Sequence, residues 1–339
     1  MELIGNNDIQ KQVFVAAQSA KEKNSAMPHM LFAGAAGCGK TSMARKIALI
    51  NNTQFLTLLP DAIKKIDDVY RLFENLSCVG YDELGDRVGR PNGNGSDIKP
   101  AIIFIDEIHN LKPLQVQEWL GVAMEDFTLE NKNGELLWIP YFTLVGATTN
   151  DGLLSKPFLD RFKYRFIFKQ YSFEESLDII RVHADRLKTN IDHSAAIEIA
   201  KRGRGTPRII VGFLERCIDT AIVRKGNNII TKDIALETFD LLGINDIGLR
   251  ETELRLMKIL YESDKPIGLE NLSIMTNESQ KTITNSIEPF LIREGFVMRS
   301  GTGRILTENG KKYLLEDSGI YEKKKSFIKQ NLPPGHIRR

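Results

Sequence analysis

LFAGAAGCGKTS, residues Leu31–Ser42, has the glycine and lysine spacing of a phosphate-binding P-loop. The apolar residues just before it predict a buried strand, and residues 43–50 predict the helix that follows. In such a loop the glycines let backbone N–H groups turn inward onto phosphate oxygens, and the lysine reaches the outer phosphates. The residues expected to hold a nucleotide are Gly34, Gly39, Lys40, Thr41 and Ser42, and the hydroxyl of Thr41 or Ser42 would bind Mg²⁺.

Acidic side chains suited to nucleotide hydrolysis follow a second predicted strand. Ala101–Ile105 is a β-favouring run that ends in Asp106 and Glu107. A buried parallel strand places such carboxylates at the sheet edge where doubly wound folds bind ligands. One carboxylate can join the Mg²⁺ shell while the other orients and deprotonates a water molecule. Together with the P-loop, this pair predicts a nucleotide hydrolysis site.

A third β-favouring run, Phe142–Ala147, ends in the polar residues 148–150. It predicts a strand beside the preceding one, with a polar side chain near the terminal phosphate. Within 127–140, an Asn-Gly pair at 133–134 lies between β-capable segments, which is a strong hairpin signal.

Residues 79–100 differ in character from the segments around them. They contain five glycines and two prolines and have no sustained period, which predicts a surface loop or an insertion. From the sequence, this segment is either a disordered excursion or a contact on DNA or on a neighbouring subunit.

Composition describes an ordinary globular protein with more than one domain. At 339 residues, with 42% hydrophobic and 27% charged residues, the chain exceeds what one hydrophobic core usually supports. No apolar run is long enough to span a bilayer, and the first twenty residues are unlike a secretory signal, so we expect a cytoplasmic protein. Three cysteines are too few and too scattered for a disulfide framework or a zinc site.

The small net charge of +2 hides an asymmetry along the chain. Residues 247–339 contain 16 Lys and Arg against 12 Asp and Glu, so the remainder is weakly acidic. A polyanionic partner is therefore expected to meet the C-terminal part.

From Ser172 onward the sequence becomes helical, and the last part has the element order of a winged helix. The predicted helices are 173–187, 195–202, 207–224, 232–242, 251–262 and 269–275. Asn277 is expected to cap a further helix, with Gln280 three residues later. Residues 296–299 and 304–307 predict a hairpin across a Gly-Thr-Gly turn. Winged helices usually bind nucleic acid, but some dock proteins instead.

Three blocks of the chain resemble the RuvB family, AAA+ ATPases that drive branch migration of Holliday junctions. They are FTLVGATTNDGLLSKPFLDRF at 142–162, RGRGTPRI at 202–209 and IEPFLIREGFVMRSGTGRI at 287–305. The resemblance extends over nearly the whole length. It implies an α/β fold of three domains. These are an AAA+ P-loop ATPase domain with a parallel sheet core at 1–170, a helical lid at 171–246 and a winged-helix DNA-binding domain at 247–339.

The resemblance also implies roles for individual side chains. Gly37 joins the phosphate contacts of the P-loop, Asp106 binds Mg²⁺, and Glu107 activates the water molecule. Thr149 senses the terminal phosphate, and Arg161 reaches into the nucleotide site of the next subunit. The remaining implied contacts are those of Arg208 with the bound phosphates, of Leu3, Ile4 and Tyr171 with the nucleotide base, and of Arg299 and Arg304 with the DNA backbone.

The cofactors and partners are likewise implied by the resemblance. They are ATP and Mg²⁺, four-way junction or duplex DNA, further copies of the chain in a hexamer, and a RuvA-like junction-binding protein. Three features depart from the family pattern. Ala35 and Ala36 replace the prolines of the glycine loop, which leaves the phosphate cradle intact but less stiff. The hairpin within 127–140 is shorter than the one that contacts RuvA, and residues 79–100 match no segment of the family.

Two other functions fit the same set of domains. A replication initiator or helicase loader also joins an AAA+ core to a winged helix, and it would bind origin-like sequences or a helicase. A regulator that uses ATP only as a switch would bind one DNA sequence with negligible turnover. Wing arginines aimed at phosphates predict salt-sensitive, sequence-tolerant binding instead. We therefore expect an ATP-driven DNA motor.

Overall fold

The computed structural model describes residues 3–23, 25–74, 79–81, 87–89, 100–130, 134, 136–226, 229–263 and 265–316. The chain folds as two compact units, Met1–Ile234 and Ala235–Arg339. Within the described residues, no helix combines the length and the apolar character needed to cross a membrane.

Strands and helices alternate through the first unit as the sequence predicts. The strands are β1 (Met30–Ala33), β2 (Phe55–Leu58), β3 (Val79–Tyr81), β4 (Arg87–Gly89), β5 (Ala101–Ile105), β6 (Thr128–Glu130), β7 (Leu136–Trp138), β8 (Phe142–Thr148), β9 (Tyr164–Ile167), β10 (Asn190–Ile191), β11 (Ile229–Ile230), β12 (Val297–Arg299) and β13 (Arg304–Leu306). The helices are α1 (Asn7–Glu22), α2 (Lys40–Asn51), α3 (Ile66–Glu74), α4 (Gln115–Asp126), α5 (Lys156–Asp160), α6 (Phe173–Arg186), α7 (His193–Arg202), α8 (Pro207–Lys225), α9 (Lys232–Leu241), α10 (Glu251–Tyr261), α11 (Leu269–Thr276), α12 (Gln280–Thr282) and α13 (Glu288–Arg293).

A five-stranded parallel sheet forms the centre of the first unit, in the order β2-β5-β8-β1-β9. β8 pairs with β5 on one side and with β1 on the other, so that Gly146 lies between Ile105 and Leu31. This pairing confirms the prediction that the run from Phe142 lies beside the run from Ala101. The carboxyl ends of β1, β5 and β8 therefore meet at one edge of the sheet.

Helices cover both faces of this sheet, which explains why its central strands are apolar without alternation. Ile103 and Ile105 of β5 pack in one core with side chains of α3 and α4. Ile102 and Phe104 of the same strand pack in a second core with side chains of α1 and α2. A strand buried on both faces needs an apolar residue at every position, and AIIFI supplies one.

Two short hairpins project from the first unit. β6 and β7 pair antiparallel with Leu129 opposite Leu137, which confirms the hairpin predicted within 127–140. β3 and β4 also pair antiparallel, with Gly80 opposite Val88, so part of the segment 79–100 is regular where we expected a loop. The rest of that prediction, at 82–86 and 90–99, lies outside the described residues.

The helices that follow β9 begin close to their predicted positions. α6 begins with a capping box, in which Ser172 Oγ accepts from Glu175 N at 3.1 Å and Glu175 Oε2 accepts from Ser172 N at 2.7 Å. Pro207 occupies the first turn of α8, where its missing N–H costs nothing. Tyr171 N donates to the carbonyl of Gly205 at 3.0 Å, which ties the start of α6 to the loop before α8.

The second unit has the winged-helix order of helices followed by a hairpin. β12 and β13 pair antiparallel across residues 300–303, as predicted. The prediction that Asn277 caps the third helix is wrong. Asn277 instead ends α11 in the left-handed conformation, with φ of 57°, which asparagine tolerates. Ser279 caps α12, because its backbone is extended there and its Oγ accepts from Thr282 N at 3.0 Å.

The third helix of the winged helix widens in the middle. Residues Ile283–Ile287 form a π-helical turn between α12 and α13. Pro289 follows this turn and lacks the N–H that an α-helix would direct at residue 285. The wider turn accommodates the proline and places Glu288 in a fully buried position.

Candidate functional site

The P-loop joins the carboxyl end of β1 to the first residue of α2. Gly34, Gly37 and Gly39 have φ of 146°, 80° and 89°, a region that side chains with a Cβ rarely adopt. A Cβ at Gly34 would also lie 2.6 Å from the carbonyl oxygen of Phe168. These glycines allow the loop to close on itself in front of a helix N-terminus, which is the standard anion site of such folds. Thr41 and Ser42 lie in the first turn of α2 and are half-buried.

Lys40 is almost fully buried behind this loop. Its Nζ donates to the carbonyl oxygens of Gly34 at 2.7 Å and Ala35 at 2.9 Å. Burial of the ammonium lowers its pKa, and the nearby charge of Arg208 lowers it further. Cys38, Glu107 and Asp106 act on this pKa in the opposite direction, so these groups lie close enough to feel one another. The lysine is thus bonded to two neutral acceptors that phosphate oxygens can replace.

The two acids follow β5, at the same sheet edge. The backbone of Glu107 is left-handed, with φ of 46°, and Asp106 Oδ1 accepts from Glu107 N at 3.1 Å. Glu107 Oε2 accepts from Thr149 Oγ1 at 2.9 Å and from Thr149 N at 3.2 Å. The structure therefore brings together the side chains expected to activate water and to sense phosphate.

The oxygen ligands at this edge suit Mg²⁺. The hydroxyls of Thr41 and Ser42 and the carboxylate of Asp106 are hard donors of the kind this ion prefers. Among the described residues, no group of three or more His, Cys, Asp or Glu could hold a metal. That finding agrees with a Mg²⁺ ion held by one carboxylate, a hydroxyl, water and substrate phosphates rather than by a protein cage.

The residues expected at the nucleotide base surround the P-loop on its other side. Gln10 Nε2 donates to the carbonyls of Leu3 at 3.0 Å and Gly5 at 2.7 Å, which holds the segment that includes Ile4. Tyr171 Oη donates to the carbonyl of Cys38 at 3.3 Å. Burial of the Tyr171 phenol raises its pKa, so the hydroxyl keeps its proton at neutral pH. A Cβ at Gly5 would lie 2.7 Å from the Tyr171 ring, and one at Gly39 would lie 2.8 Å from its oxygen.

Arg208 lies against the P-loop from the start of α8. A Cβ at Gly37 would be 3.2 Å from the Cβ of Arg208 and 3.1 Å from the Cγ2 of Thr206. The Arg208 side chain is exposed and makes no hydrogen bond or ion pair with any residue that the structure describes. Its guanidinium is therefore free to bind an anion held by the loop.

Arg161 is the one predicted catalytic side chain that contacts none of the others. Its Nη2 lies 3.0 Å from Glu125 Oε2, and its Nη1 donates to the carbonyl of Pro157 at 2.8 Å. The stem of Arg161 passes over Gly121 of α4, where a Cβ would lie 3.1 Å from its Cδ. Its Nε is buried and has no hydrogen-bond acceptor among the described residues.

The two wing arginines share one buried carboxylate. Arg299 donates to Glu288 Oε2 through Nε at 3.0 Å and through Nη2 at 2.6 Å. Arg304 donates to Glu288 Oε1 through Nε at 2.5 Å. The side chain of Arg299 is 50% exposed, that of Arg304 only 14% and that of Glu288 is fully buried. Arg299 thus keeps an outward surface, whereas Arg304 is mostly enclosed.

Sequence reasoning missed three residues that contact the predicted site residues. They are His109 beside Glu107, Glu125 on Arg161 and Glu288 on the wing arginines. His109 was detectable in principle, because it lies two residues after Glu107 in the chain. The two glutamates carry no local signal, since their partners are brought to them by tertiary packing.

Comparison with known proteins places the whole chain in one family. Family models match residues 1–82 and 96–168 as the Holliday junction DNA helicase RuvB P-loop domain, 171–245 as the RuvB AAA lid domain and 246–315 as the RuvB C-terminal winged helix domain. The residues passed over, 83–95, fall inside the segment 79–100 that the sequence predicts to be a loop or insertion.

Individual relatives agree with these matches. The chain is 37% identical over 310 residues to the Holliday junction branch migration complex subunit RuvB of Campylobacter lari, covering 89% of this chain and 85% of that protein. It is 36% identical to the RuvB subunit of Fervidobacterium nodosum, covering 92% and 86%.

A solved structure shares both fold and sequence. The structure titled Thermotoga maritima RuvB Holliday junction branch migration motor superimposes with a TM-score of 0.75 at 34% identity, covering 92% of this chain and 95% of that one. With three contiguous domain matches and relatives above 30% identity over most of its length, the chain belongs to the RuvB family of AAA+ P-loop ATPases.

Proposed function

We propose that this chain is the ATP-hydrolysing subunit of a motor that moves Holliday junctions along DNA. The observation that carries the proposal is the convergence of Lys40, Asp106, Glu107 and Thr149 at one sheet edge in a chain of the RuvB family. Phosphoryl transfer requires positioning and charge neutralisation rather than covalent help, and these are the groups that supply both.

ATP and Mg²⁺ are the proposed cofactors. The P-loop amides and Lys40 bind the phosphates, and Thr41, Ser42 and Asp106 hold the Mg²⁺ ion, which neutralises charge on the phosphate oxygens. Glu107 accepts a proton from the attacking water, and Thr149 contacts the terminal phosphate. Leu3, Ile4 and Tyr171 hold the base, and Arg208 contacts the phosphates from the lid.

Arg161 is proposed to complete the site of a neighbouring subunit. Its side chain contacts Glu125 and Pro157 and none of the nucleotide-site residues of its own chain. An arginine supplied by a neighbour is worth about 10³ to 10⁵ in rate. A ring of such subunits, a hexamer in our proposal, would hydrolyse ATP only when assembled and could convert hydrolysis into rotation of the lid.

The DNA contact is proposed to lie in the winged helix. We assign residues 1–170 to ATP hydrolysis, 171–246 to the lid and 247–339 to DNA binding. Arg299, with half of its side chain exposed, and Arg304 would contact DNA phosphates. A RuvA-like junction-binding protein in the cytoplasm is the proposed partner, and the hairpin of β6 and β7 is its proposed contact.

Hydrolysis in the presence of four-way junction DNA tests the proposal. We expect ATP turnover that rises with junction DNA, and near-complete loss of turnover in Lys40→Ala and Glu107→Gln. Turnover that stays absent at every protein and DNA concentration would overturn the motor. Binding to a single DNA sequence with negligible turnover would favour a regulator, and selective binding to origin-like DNA or to a helicase would favour a loader.

Mixing two inactive variants tests the shared site. Arg161→Ala keeps a complete nucleotide site, and Glu107→Gln keeps a complete arginine. Each alone should be inactive, whereas mixed rings contain interfaces that pair the two intact halves. We expect turnover to reappear in the mixture. If Arg161→Ala alone keeps wild-type turnover, the arginine does not act across an interface.

A further inference from the structure

The turn after β5 folds His109 back against the site. Glu107 is left-handed, and residues Ile108–Asn110 form a 3₁₀ turn closed by Asn110 N donating to the carbonyl of Glu107 at 2.8 Å. This turn returns the imidazole to the end of β8, where Nδ1 lies 2.9 Å from Thr148 Oγ1 and 3.3 Å from Glu107 Oε2. The His109 side chain is 12% exposed, so its position is set by packing rather than by solvent.

The partners of Nδ1 determine which ring nitrogen carries hydrogen. The ionised carboxylate of Glu107 can only accept, so Nδ1 must be an N–H donor whether the ring is neutral or charged. Thr148 Oγ1 also accepts from Asn150 N, at 3.0 Å, and is therefore held as an acceptor for the same Nδ1–H. His109 thus links the carboxylate to the fixed end of β8.

The two oxygens of Glu107 have different surroundings. Oε2 receives Thr149 Oγ1, Thr149 N and His109 Nδ1. Oε1 makes no hydrogen bond with any residue in the described part of the chain. One oxygen is therefore held by donors, and the other is open to take a proton from water.

We propose that His109 is a positioning residue that holds the Glu107 carboxylate through Nδ1–H when Thr149 turns to the terminal phosphate. The inference rests on the proposed function, in which Glu107 is the base and Thr149 the phosphate sensor. Thr149 cannot give its hydroxyl hydrogen to both partners at once, since a hydroxyl has one O–H. The second donor keeps Oε2 in place, so that Oε1 stays aimed at the water.

Two substitutions of similar polarity separate this role from packing. In His109→Asn the side-chain amide nitrogen can occupy the place of Nδ1, whereas the longer side chain in His109→Gln carries its amide nitrogen towards the place of Nε2. With junction DNA and ATP, we expect kcat to fall about 10-fold to 100-fold in His109→Gln and to stay within about threefold of wild type in His109→Asn. The affinity for a fluorescent ADP analogue should stay unchanged in both, because His109 does not contact the phosphate site.

Three further measurements exclude a purely structural effect. His193→Gln changes an exposed histidine at the start of α7 and should leave turnover and the thermal midpoint unchanged. In a Glu107→Gln background, adding His109→Gln should not reduce the residual single-turnover rate further, because both changes disable one base. The imidazole ¹⁵N spectrum of the nucleotide-free protein, assigned by the signal lost in His109→Gln, should show Nδ1 protonated.

Each result decides for or against the role. Equal losses in His109→Asn and His109→Gln, additive losses with Glu107→Gln, or a ring protonated only at Nε2 would overturn the positioning role while leaving the motor intact. Wild-type protein without any turnover would overturn the motor and the positioning role together.

Discussion

Lys40 in the P-loop and Arg304 in the wing are both largely buried cations, but their partners differ in charge. Lys40 donates to two neutral carbonyl oxygens, whereas Arg304 and its neighbour Arg299 donate to the buried carboxylate of Glu288. A cation bonded only to carbonyls keeps its charge available for a phosphate. A cation paired with a carboxylate has most of its field cancelled. The nucleotide site therefore keeps its positive charge for a ligand, whereas the wing uses its charge to hold itself together.

His29 in the nucleotide-binding half is also buried without a counter-charge. Its Nε2 lies 2.9 Å from the carbonyl of Met124, and its Nδ1 accepts from Leu144 N at 2.8 Å. Burial lowers the pKa of His29 from 6.5 to about 4, with only a small opposing effect of the Met124 hydrogen bond. The imidazole is therefore neutral in the folded protein at neutral pH, and both its nitrogens are satisfied by backbone.

Removing the charge of Glu288 should disturb the wing more than any other change considered. Glu288→Gln leaves two arginines without their counter-charge, and removing one partner of a buried pair typically costs about 3 to 5 kcal/mol. We expect about 3 kcal/mol, the low end of that range, because Arg299 is half exposed. Hydrogen–deuterium exchange of amides in β12 and β13 should quicken accordingly. Lys40→Ala is the matched control and should leave exchange in β1 and β8 nearly unchanged; protection of the wing amides in Glu288→Gln would refute the contrast between the two regions.

The second prediction concerns pH. As pH falls through 6.5, the imidazole of the unfolded chain takes up a proton, while folded His29 does not until about pH 4. The unfolded state binds more protons in this window, so the free energy of unfolding falls with pH, by roughly 3 kcal/mol in all. Chemical unfolding followed by tryptophan fluorescence between pH 7 and pH 4 measures this. His29→Gln should flatten the slope; a slope equal to that of wild type would show that His29 is not its source.

The third prediction concerns a case between the two regions. Arg161 pairs with Glu125, but the Glu125 side chain is 61% exposed. An ion pair this open contributes at most about 1 kcal/mol, so Glu125→Ala should lower the thermal midpoint only slightly. A neighbouring nucleotide could then displace Glu125 easily. A loss of stability as large as that of Glu288→Gln would mean that Arg161 serves the fold.

A smaller change should separate the two wing arginines. If Arg299 contacts a DNA phosphate with its exposed face, Arg299→Gln should reduce the slope of log affinity against log salt by about 0.9. Arg304→Gln should instead quicken amide exchange in the wing and leave that slope nearly unchanged. Fluorescence anisotropy with labelled junction DNA at several salt concentrations measures the slopes. Equal changes in slope would place both arginines on DNA.

Much of the fold follows from local sequence. The glycines of the P-loop, the apolar run at 101–105 and the Asn-Gly pair at 133–134 each predicted an element that the structure contains. The cap of α12 was misassigned because Asn277 and Ser279 are both good capping residues. The choice between them depends on which backbone is extended, and the packing of α11 settles that.

The amino-acid sequence alone determined where strands end in glycine, lysine, carboxylate and hydroxyl residues, because these signals depend on neighbours in the chain. Tertiary structure decided how each charge is used. His109 reaches Thr148 across 39 residues, Arg161 reaches Glu125, and two wing arginines converge on Glu288. The energy of a buried charge depends on its distance to partners and on the loss of water around it, and only the folded chain sets those quantities.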